Sequence, residues 1–408
     1  MSTTAKDGGK TNNSKFYRAM FLGGIFSRLR PRHDDLVIFD DIFPHQLSPF
    51  RLLEFNSYLS HFRRSSVYST GGSLPLIGES RPLKEIIKEF ETNFKAQRGR
   101  TFVYRPLQRI EAQLTYTVFL NNADFFFDAI VRIGAPFLFT LYPGGGFRLE
   151  CPESDEKLRR ITTMKSFRKV IVTQNITRDY LLKGAYCSPE QIEFIYGGVF
   201  PIHPGGLPGV PRPRYQESKR SFDICFVAHK YTPQGRDKGY DVFIEAAKKC
   251  RAACPDAKFH VVGPFAPEDF DIGTLEDRIT FYGMRTADFF SEFYANMDII
   301  LSPNAPFLLQ PGAFDGFPTG CCIEAGMSGV AVMATDCLNQ NVTFRDGEDI
   351  VIIPRDADAI AQRVAYYYDH PPELYVLAER GKARFREVFA VENQMMPRYK
   401  IMENLLGC

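Results

Sequence analysis

The sequence predicts an α/β fold made of two tandem units, each a parallel sheet covered by helices. Three observations carry that expectation. Short β-branched or aromatic runs alternate with helical stretches along most of the chain, the pattern of parallel strands joined by helical crossovers. The 408 residues exceed one ordinary domain, at ~100–200 residues each. Between the two series of strands, residues 201–213 hold five prolines and three glycines, a composition that continues neither a helix nor a central strand. Two Rossmann-like domains facing across a cleft follow, with the ligand site expected in the cleft.

Taken in order, residues 1–14 are polar, lack the apolar stretch of a signal peptide, and are expected to be a disordered tail. The N-terminal domain, 15–200, starts with a stretch at 15–32 that interleaves Phe16, Tyr17, Phe21, Ile25, Phe26 and Leu29 with Lys15, Arg18, Arg28, Arg30 and Arg32. A basic, aromatic stretch suits peripheral contact with an anionic membrane surface. Packing on its own domain is the competing use, and Gly23-Gly24 weakens its helix. Strands are predicted at 36–40, 66–69, 101–104, 115–120, 137–141, 170–173 and 192–196, with helical patterns between most of them. After a Pro/Gly linker, 201–218, the C-terminal domain spans 219–385. Its elements are a strand at 223–227, a helix at 240–253, strands at 258–262 and 279–282, a helix at 287–296, a strand at 299–302, a helix at 320–328 and a strand at 331–334. Helices at 357–368 and 373–388 follow, and residues 386–408 are expected to form a crossover helix that packs back on the first domain.

Composition excludes several functions. Fifty Lys+Arg against 48 Asp+Glu leave a net charge of +2, too little to hold a nucleic-acid backbone. No apolar run approaches the ~20 residues that span a bilayer. The nine cysteines are odd in number and scattered, without the paired spacings of a metal site, so a reduced cytoplasmic setting and no metal are expected. Cys250 and Cys254 share a helical stripe with Phe243, Ala246 and Ala247, which makes them core residues.

Chemistry concentrates at 314–329. Asp315 opens a turn of Gly316, Phe317, Pro318 and Thr319, the turn feeds a helix, and Glu324 lies one turn inside it. Backbone N–H groups at a helix start favour phosphate, and a carboxylate can take two hydrogen bonds from a ribose diol, so the layout suits a nucleotide sugar. An acidic surface turn with a capping carboxylate has the same spacing and equal weight. Upstream, His229 and Lys230 end a strand, and Arg236 and Lys238 precede the next helix between Gly235 and Gly239. Alone, such a run is a solvated loop; on the same sheet edge as Asp315 and Glu324, it can neutralise a departing diphosphate.

Together with Phe226-Val227-Ala228-His229, Lys238-Gly239, Val261-Val262-Gly263-Pro264, Phe281-Tyr282-Gly283-Met284 and Asp298-Ile299-Ile300-Leu301-Ser302-Pro303, this block makes about 220–350 of the chain resemble the retaining glycosyltransferases of family 4. The N-terminal half is similar more loosely, through 137–142, Val170-Ile171-Val172-Thr173 and Ile195-Tyr196-Gly197-Gly198-Val199. The resemblance implies the GT-B fold and metal-independent transfer of a hexose, with retention, from a nucleoside diphosphate sugar, UDP-sugar as the first guess, without a separate cofactor. It places the donor ribose on Glu324 and the donor sugar against Asp315 and the backbone of Gly316, Phe317 and Pro318, beside Thr319 and His229. Lys238, helped by Lys230 or Arg236, would bind the diphosphate, and the base would sit near Gly263 and Met284. The implied acceptor is a glycan or lipid-linked glycan of surface polysaccharide assembly, met in the cytoplasm or at the inner membrane face. Three departures stand out: Asp315 replaces a glutamate and is separated from Glu324 by eight residues rather than seven, Ala228-His229 replaces a Gly-Arg pair, and Tyr142 replaces a histidine.

On the acceptor side, Tyr142, Gly144, Gly145 and Arg148 form a Gly-rich loop that either approaches a ligand or is a plain tight turn. His45 or Gln46, after Asp40-Asp41, is the weaker candidate for the acceptor pocket. Two rival functions remain at this stage: a non-catalytic GT-B scaffold that partners another transferase, and a nucleotide-sugar epimerase or phosphorylase of similar fold.

Overall fold

The computed structural model describes residues 33–203 and 212–407. The expected tail, the 15–32 stretch and the middle of the Pro/Gly linker lie outside them. The first domain is a seven-stranded parallel sheet in the order β3-β2-β1-β4-β5-β6-β7. Its strands are β1 (His33–Asp40), β2 (Ser65–Ser69), β3 (Thr101–Val103), β4 (Glu111–Val118), β5 (Phe137–Leu141), β6 (Phe167–Val172) and β7 (Ile192–Phe194). The second is a six-stranded parallel sheet in the order β10-β9-β8-β11-β12-β13. It contains β8 (Phe222–Val227), β9 (Ala257–Val262), β10 (Ile279–Phe281), β11 (Ile299–Ser302), β12 (Ala331–Ala334) and β13 (Val351–Ile352).

The strands read as continuous apolar runs because helices cover both faces. Along β1, Val37 and Phe39 enter one core cluster while Leu36 and Ile38 enter the other, the two-residue period of a strand. The second sheet repeats this, with Ile224 and Phe226 on one side and Cys225 on the other. Covering the first sheet are α1 (Pro49–His61), α2 (Leu83–Asn93), α3 (Leu120–Phe125), α4 (Phe127–Ile133), α5 (Pro152–Thr162) and α6 (Asn175–Lys183). The second carries α7 (Tyr240–Ala253), α8 (Ala287–Asn296), α9 (Gly320–Ser328), α10 (Ala357–Asp369) and α11 (Pro371–Phe389). Cys250 and Cys254 are buried in this second core as free thiols. None of the helices among the described residues is long and apolar enough to cross a membrane.

In each sheet the strand order reverses once, between β1 and β4 and between β8 and β11, which opens a crevice at the carboxyl ends of the strands. The two domains meet along one wall of these crevices. Leu149 N–H donates to the Gly312 carbonyl at 2.9 Å, and Ile176 N–H donates to Gln340 Oε1 at 2.8 Å. Phe147 packs against Phe314 with ring centroids 6.0 Å apart.

After α11 the chain returns to the first domain as α12 (Val391–Leu406). Met395 and Met402 join the core formed by Phe55, Tyr58 and Tyr116. Arg398 is fully buried there and donates to the Tyr142 hydroxyl at 3.4 Å, which itself donates to Glu54 Oε2 at 2.9 Å. The hydroxyls of Tyr58 and Tyr116 donate to the other Glu54 oxygen. A buried cation and carboxylate are thus joined through phenols, each charge keeping hydrogen-bond partners in a dry core.

Candidate functional site at the second switch point

Two loops build the floor of the crevice in the second domain. The first leaves β8, and its last turn, Arg236–Lys238, is bracketed by Gly235 and Gly239 at φ of 59° and 78°. A Cβ on Gly239 would lie 2.1 Å from the Pro303 carbonyl oxygen, so only glycine lets this loop rest directly on the one that follows β11. That contact brings Lys238 to Asp315. Lys238 Nζ lies 2.7 and 2.6 Å from the two Asp315 oxygens. Burial pulls the lysine pKa down, but the Asp315 charge more than offsets it and raises the pKa, so the ammonium stays charged. Nζ also stands 5.1 Å from the centroid of the Tyr231 ring. His229 packs beside Tyr231 at 4.7 Å, and burial followed by the Lys238 charge lowers its pKa, which favours the neutral ring.

Asp315, Gly316, Phe317 and Thr319 line a cavity with Ser302 and Cys337 at the ends of β11 and β12. With a side chain 39% exposed, Asp315 is open to an incoming ligand. Phe317 is not: its N–H donates to Gln174 Oε1 at 3.1 Å and its carbonyl accepts from Gln174 Nε2 at 3.3 Å. Gln174 belongs to the first domain, and a Cβ on Gly316 would come within 3.2 Å of its amide. Pro318 is buried, and Thr319 Oγ1 lies 3.3 Å from Ser302 Oγ at the start of α9. Glu324, one turn into α9, is buried with His203, whose Nε2 is 3.0 Å from Glu324 Oε2.

The remaining donor-side candidates separate. Lys230 is held by Asp269 at 2.8 and 2.7 Å rather than by Asp315. Arg236 is exposed, and its carbonyl accepts from Arg355 at 3.4 Å. Gly263 ends β9 at φ 134°, where a Cβ would lie 2.0 Å from the Ala228 carbonyl oxygen, and its N–H donates to Gly283 beside the exposed Met284.

On the first domain, Tyr142 is buried against α1 and α12 and its hydroxyl is spent on Glu54. Gly144, Gly145 and Gly146 have φ of 78°, 53° and 91°. A Cβ on Gly145 would lie 2.3 Å from the Phe119 ring, so the loop packs on the turn before α3. Arg148 pairs with Glu153 at 3.1 Å. His45 is buried; its Nδ1 accepts from Leu47 N–H at 3.1 Å, which assigns the proton to Nε2 and makes that atom the donor to Glu79 at 3.0 Å. Gln46 donates to Glu89 at 3.3 Å.

The first-domain switch point contributes a cluster that residue patterns did not single out. Arg51 bonds Asp40 at 3.0 Å and also Asp41, while Asn122 Nδ2 lies 3.2 Å from Asp41. Gln174, His203, Tyr231 and Asp269 were likewise missed. Only Tyr231, adjacent to His229-Lys230, carried a local signal. Among the described residues, no three His, Cys, Asp or Glu side chains gather to hold a metal ion.

Residues 221–370, within the second domain, match the family model described as Glycosyl transferases group 1. No curated protein matches the chain in sequence. Among solved structures, a glycosyltransferase from Rickettsia africae superposes with a TM-score of 0.62 at 16% identity, covering 91% of this chain and 99% of that one. HepE from Anabaena, in complex with UDP and glucose, superposes with a TM-score of 0.61 at 17% identity, covering 90% and 100%. Sucrose-phosphate synthase from Thermosynechococcus elongatus gives a TM-score of 0.59 at 16% identity, covering 91% and 99%. The fold is GT-B.

Proposed function

We propose that this chain is a glycosyltransferase that moves a sugar from a nucleoside diphosphate sugar to a glycan or lipid-linked glycan, with retention of anomeric configuration. The observation that carries the reading is the largely covered Lys238 ammonium, its side chain 12% exposed, paired with Asp315 at the switch point inside the region that matches the group 1 model. Breaking the bond between the sugar and the diphosphate puts negative charge on the leaving phosphate. A fixed cation in a site shielded from water stabilises that charge without reorganising. Lys238 takes that role here, in place of a metal ion. Asp315 faces the donor sugar, Glu324 the ribose, and Gly263 and Met284 the base.

UDP-sugar is the preferred donor class, supported by HepE, a protein of the same fold that was solved with UDP and glucose. The acceptor would enter from the first-domain side, past Asp41 and Arg51, and a surface polysaccharide assembled at the cytoplasmic membrane face is the context we infer. The scaffold reading draws on one observation: Gln174 already occupies both backbone groups of Phe317.

A thermal-shift panel of UDP, GDP, dTDP and CMP, followed by hydrolysis of the matching nucleotide sugars, tests the proposal. Stabilisation by one nucleoside diphosphate, with turnover that Lys238→Ala slows at least a hundredfold, is the expected result. Binding without turnover in the presence of acceptor glycans would favour the scaffold, and no nucleotide binding would end the transferase reading.

A further inference from the structure

His203 is a contribution from outside the second domain to that domain's site. It follows β7 and Phe200 at the end of the first domain's chain, yet its imidazole lies inside the second domain. Its ring centroid is 5.9 Å from each of Phe290 and Tyr294 on α8, and only 4% of the residue is exposed. Phe200 reaches the same place, since a Cβ on Gly320 at the start of α9 would lie 2.6 Å from its ring. Residues 200–203 therefore lay an aromatic ring and an imidazole across the first turns of the helix that carries Glu324.

The imidazole Nε2 meets Glu324 Oε2 at 3.0 Å, whereas Glu324 Oε1 has no hydrogen-bond partner among the described residues. A free glutamate side chain has three rotatable bonds and samples many orientations. One oxygen held by a buried, ring-packed histidine leaves the other with a fixed direction. We propose that His203 is a positioning residue that aims Glu324 at the ribose hydroxyls of the nucleotide, so that the segment joining the two domains sets how the second distinguishes ribose from deoxyribose. This rests on the reading of the site as a nucleotide-sugar site. Hydrogen bonds to a carboxylate are the kind whose loss is felt as a large change in affinity, and the change is larger when the carboxylate is pre-aimed.

Titration calorimetry with UDP and 2′-deoxy-UDP tests it on the full chain. The wild type is expected to prefer UDP about tenfold, the size of one charge-assisted hydrogen bond. His203→Ala should weaken UDP about fivefold and leave 2′-deoxy-UDP unchanged, so that the preference falls to about twofold. His203→Gln, which can place an amide N–H near the same point, should retain most of the preference, and Glu324→Gln should lose it. A merely structural histidine would weaken both nucleotides by the same factor or neither; either pattern overturns the proposal. If His203→Ala does not fold, His203→Phe, which keeps a ring between Phe290 and Tyr294, takes its place with the same two outcomes. A wild type that binds no nucleoside diphosphate refutes the transferase reading itself, whereas tight UDP binding with an unaltered preference in the variants refutes the role of His203 alone.

Discussion

Replacing Asp315 with Asn frees Lys238 from the carboxylate that holds it in the unliganded protein. At 2.6–2.7 Å, an effective dielectric constant of ~20 gives a gross attraction of roughly 6 kcal/mol. Most of that is returned as desolvation, and the 39% exposure of Asp315 lowers it further, leaving about 1–2 kcal/mol for the pair. A diphosphate competes for the same ammonium and is repelled by the same carboxylate. Asp315→Asn should therefore tighten UDP binding about tenfold, or ~1.4 kcal/mol. Calorimetry at 50 and 300 mM salt would measure it, and the gain should shrink at the higher salt as the charges are screened. Sugar transfer should fall at the same time, because the carboxylate proposed to face the donor sugar is gone. Unchanged or weaker UDP binding by Asp315→Asn would refute the idea that the two anions share Lys238.

Three further perturbations separate the parts of the molecule. Cys337 is exposed at the rim of the Asp315 cavity, so a bound nucleotide sugar should slow its alkylation, read by peptide mass spectrometry; no protection would place the donor elsewhere. Arg398→Met leaves the Glu54 carboxylate buried without its cation and should cost about 3 kcal/mol in denaturant unfolding, with part of the loss recovered in Glu54→Gln/Arg398→Met. A loss below ~1 kcal/mol would mean the pair is not coupled. Hydrogen bonds from Arg81, then from His45, hold Glu79 down from 4.5 to about 2. Its folded-state pKa is depressed, so its contribution is present above pH 4.5 and is lost as pH falls toward 2. Glu79→Gln should lower Tm at pH 6 and match the wild type near pH 2; a constant difference across that range would contradict the assignment.

The strands were legible because a sheet covered on both faces writes itself as apolar runs; β13, two residues long, left no such trace. The Lys238 loop and the Asp315 turn were legible as charges beside glycines at strand ends. Their partners were not, since Gln174 is 143 residues from Phe317 and His203 is 121 residues from Glu324, and neither sits in a periodic pattern. Lys230 was expected as a possible helper of Lys238, but Asp269, 39 residues on, holds it. Tyr142 was placed on the acceptor side by its position after β5, but the pleat decides otherwise. Phe137, Phe139 and Leu141 face one core, and Leu138 and Tyr142 face the other, so the hydroxyl turns toward Glu54. That alternation was present in the sequence, whereas the helix it turns toward comes from the opposite end of the chain.

The return of α12 to the first domain also sets an order of assembly. A ribosome releases residues 33–200 long before residues 391–406, so the earlier domain waits with Tyr58, His61 and Phe62 lacking the Tyr399 ring that packs on them and Glu54 lacking its cation. The later domain, contiguous from β8 to α11, has all its strands as soon as they emerge. The half that is made first is therefore completed last. During that interval its open aromatic face is the surface a chaperone would be expected to shield.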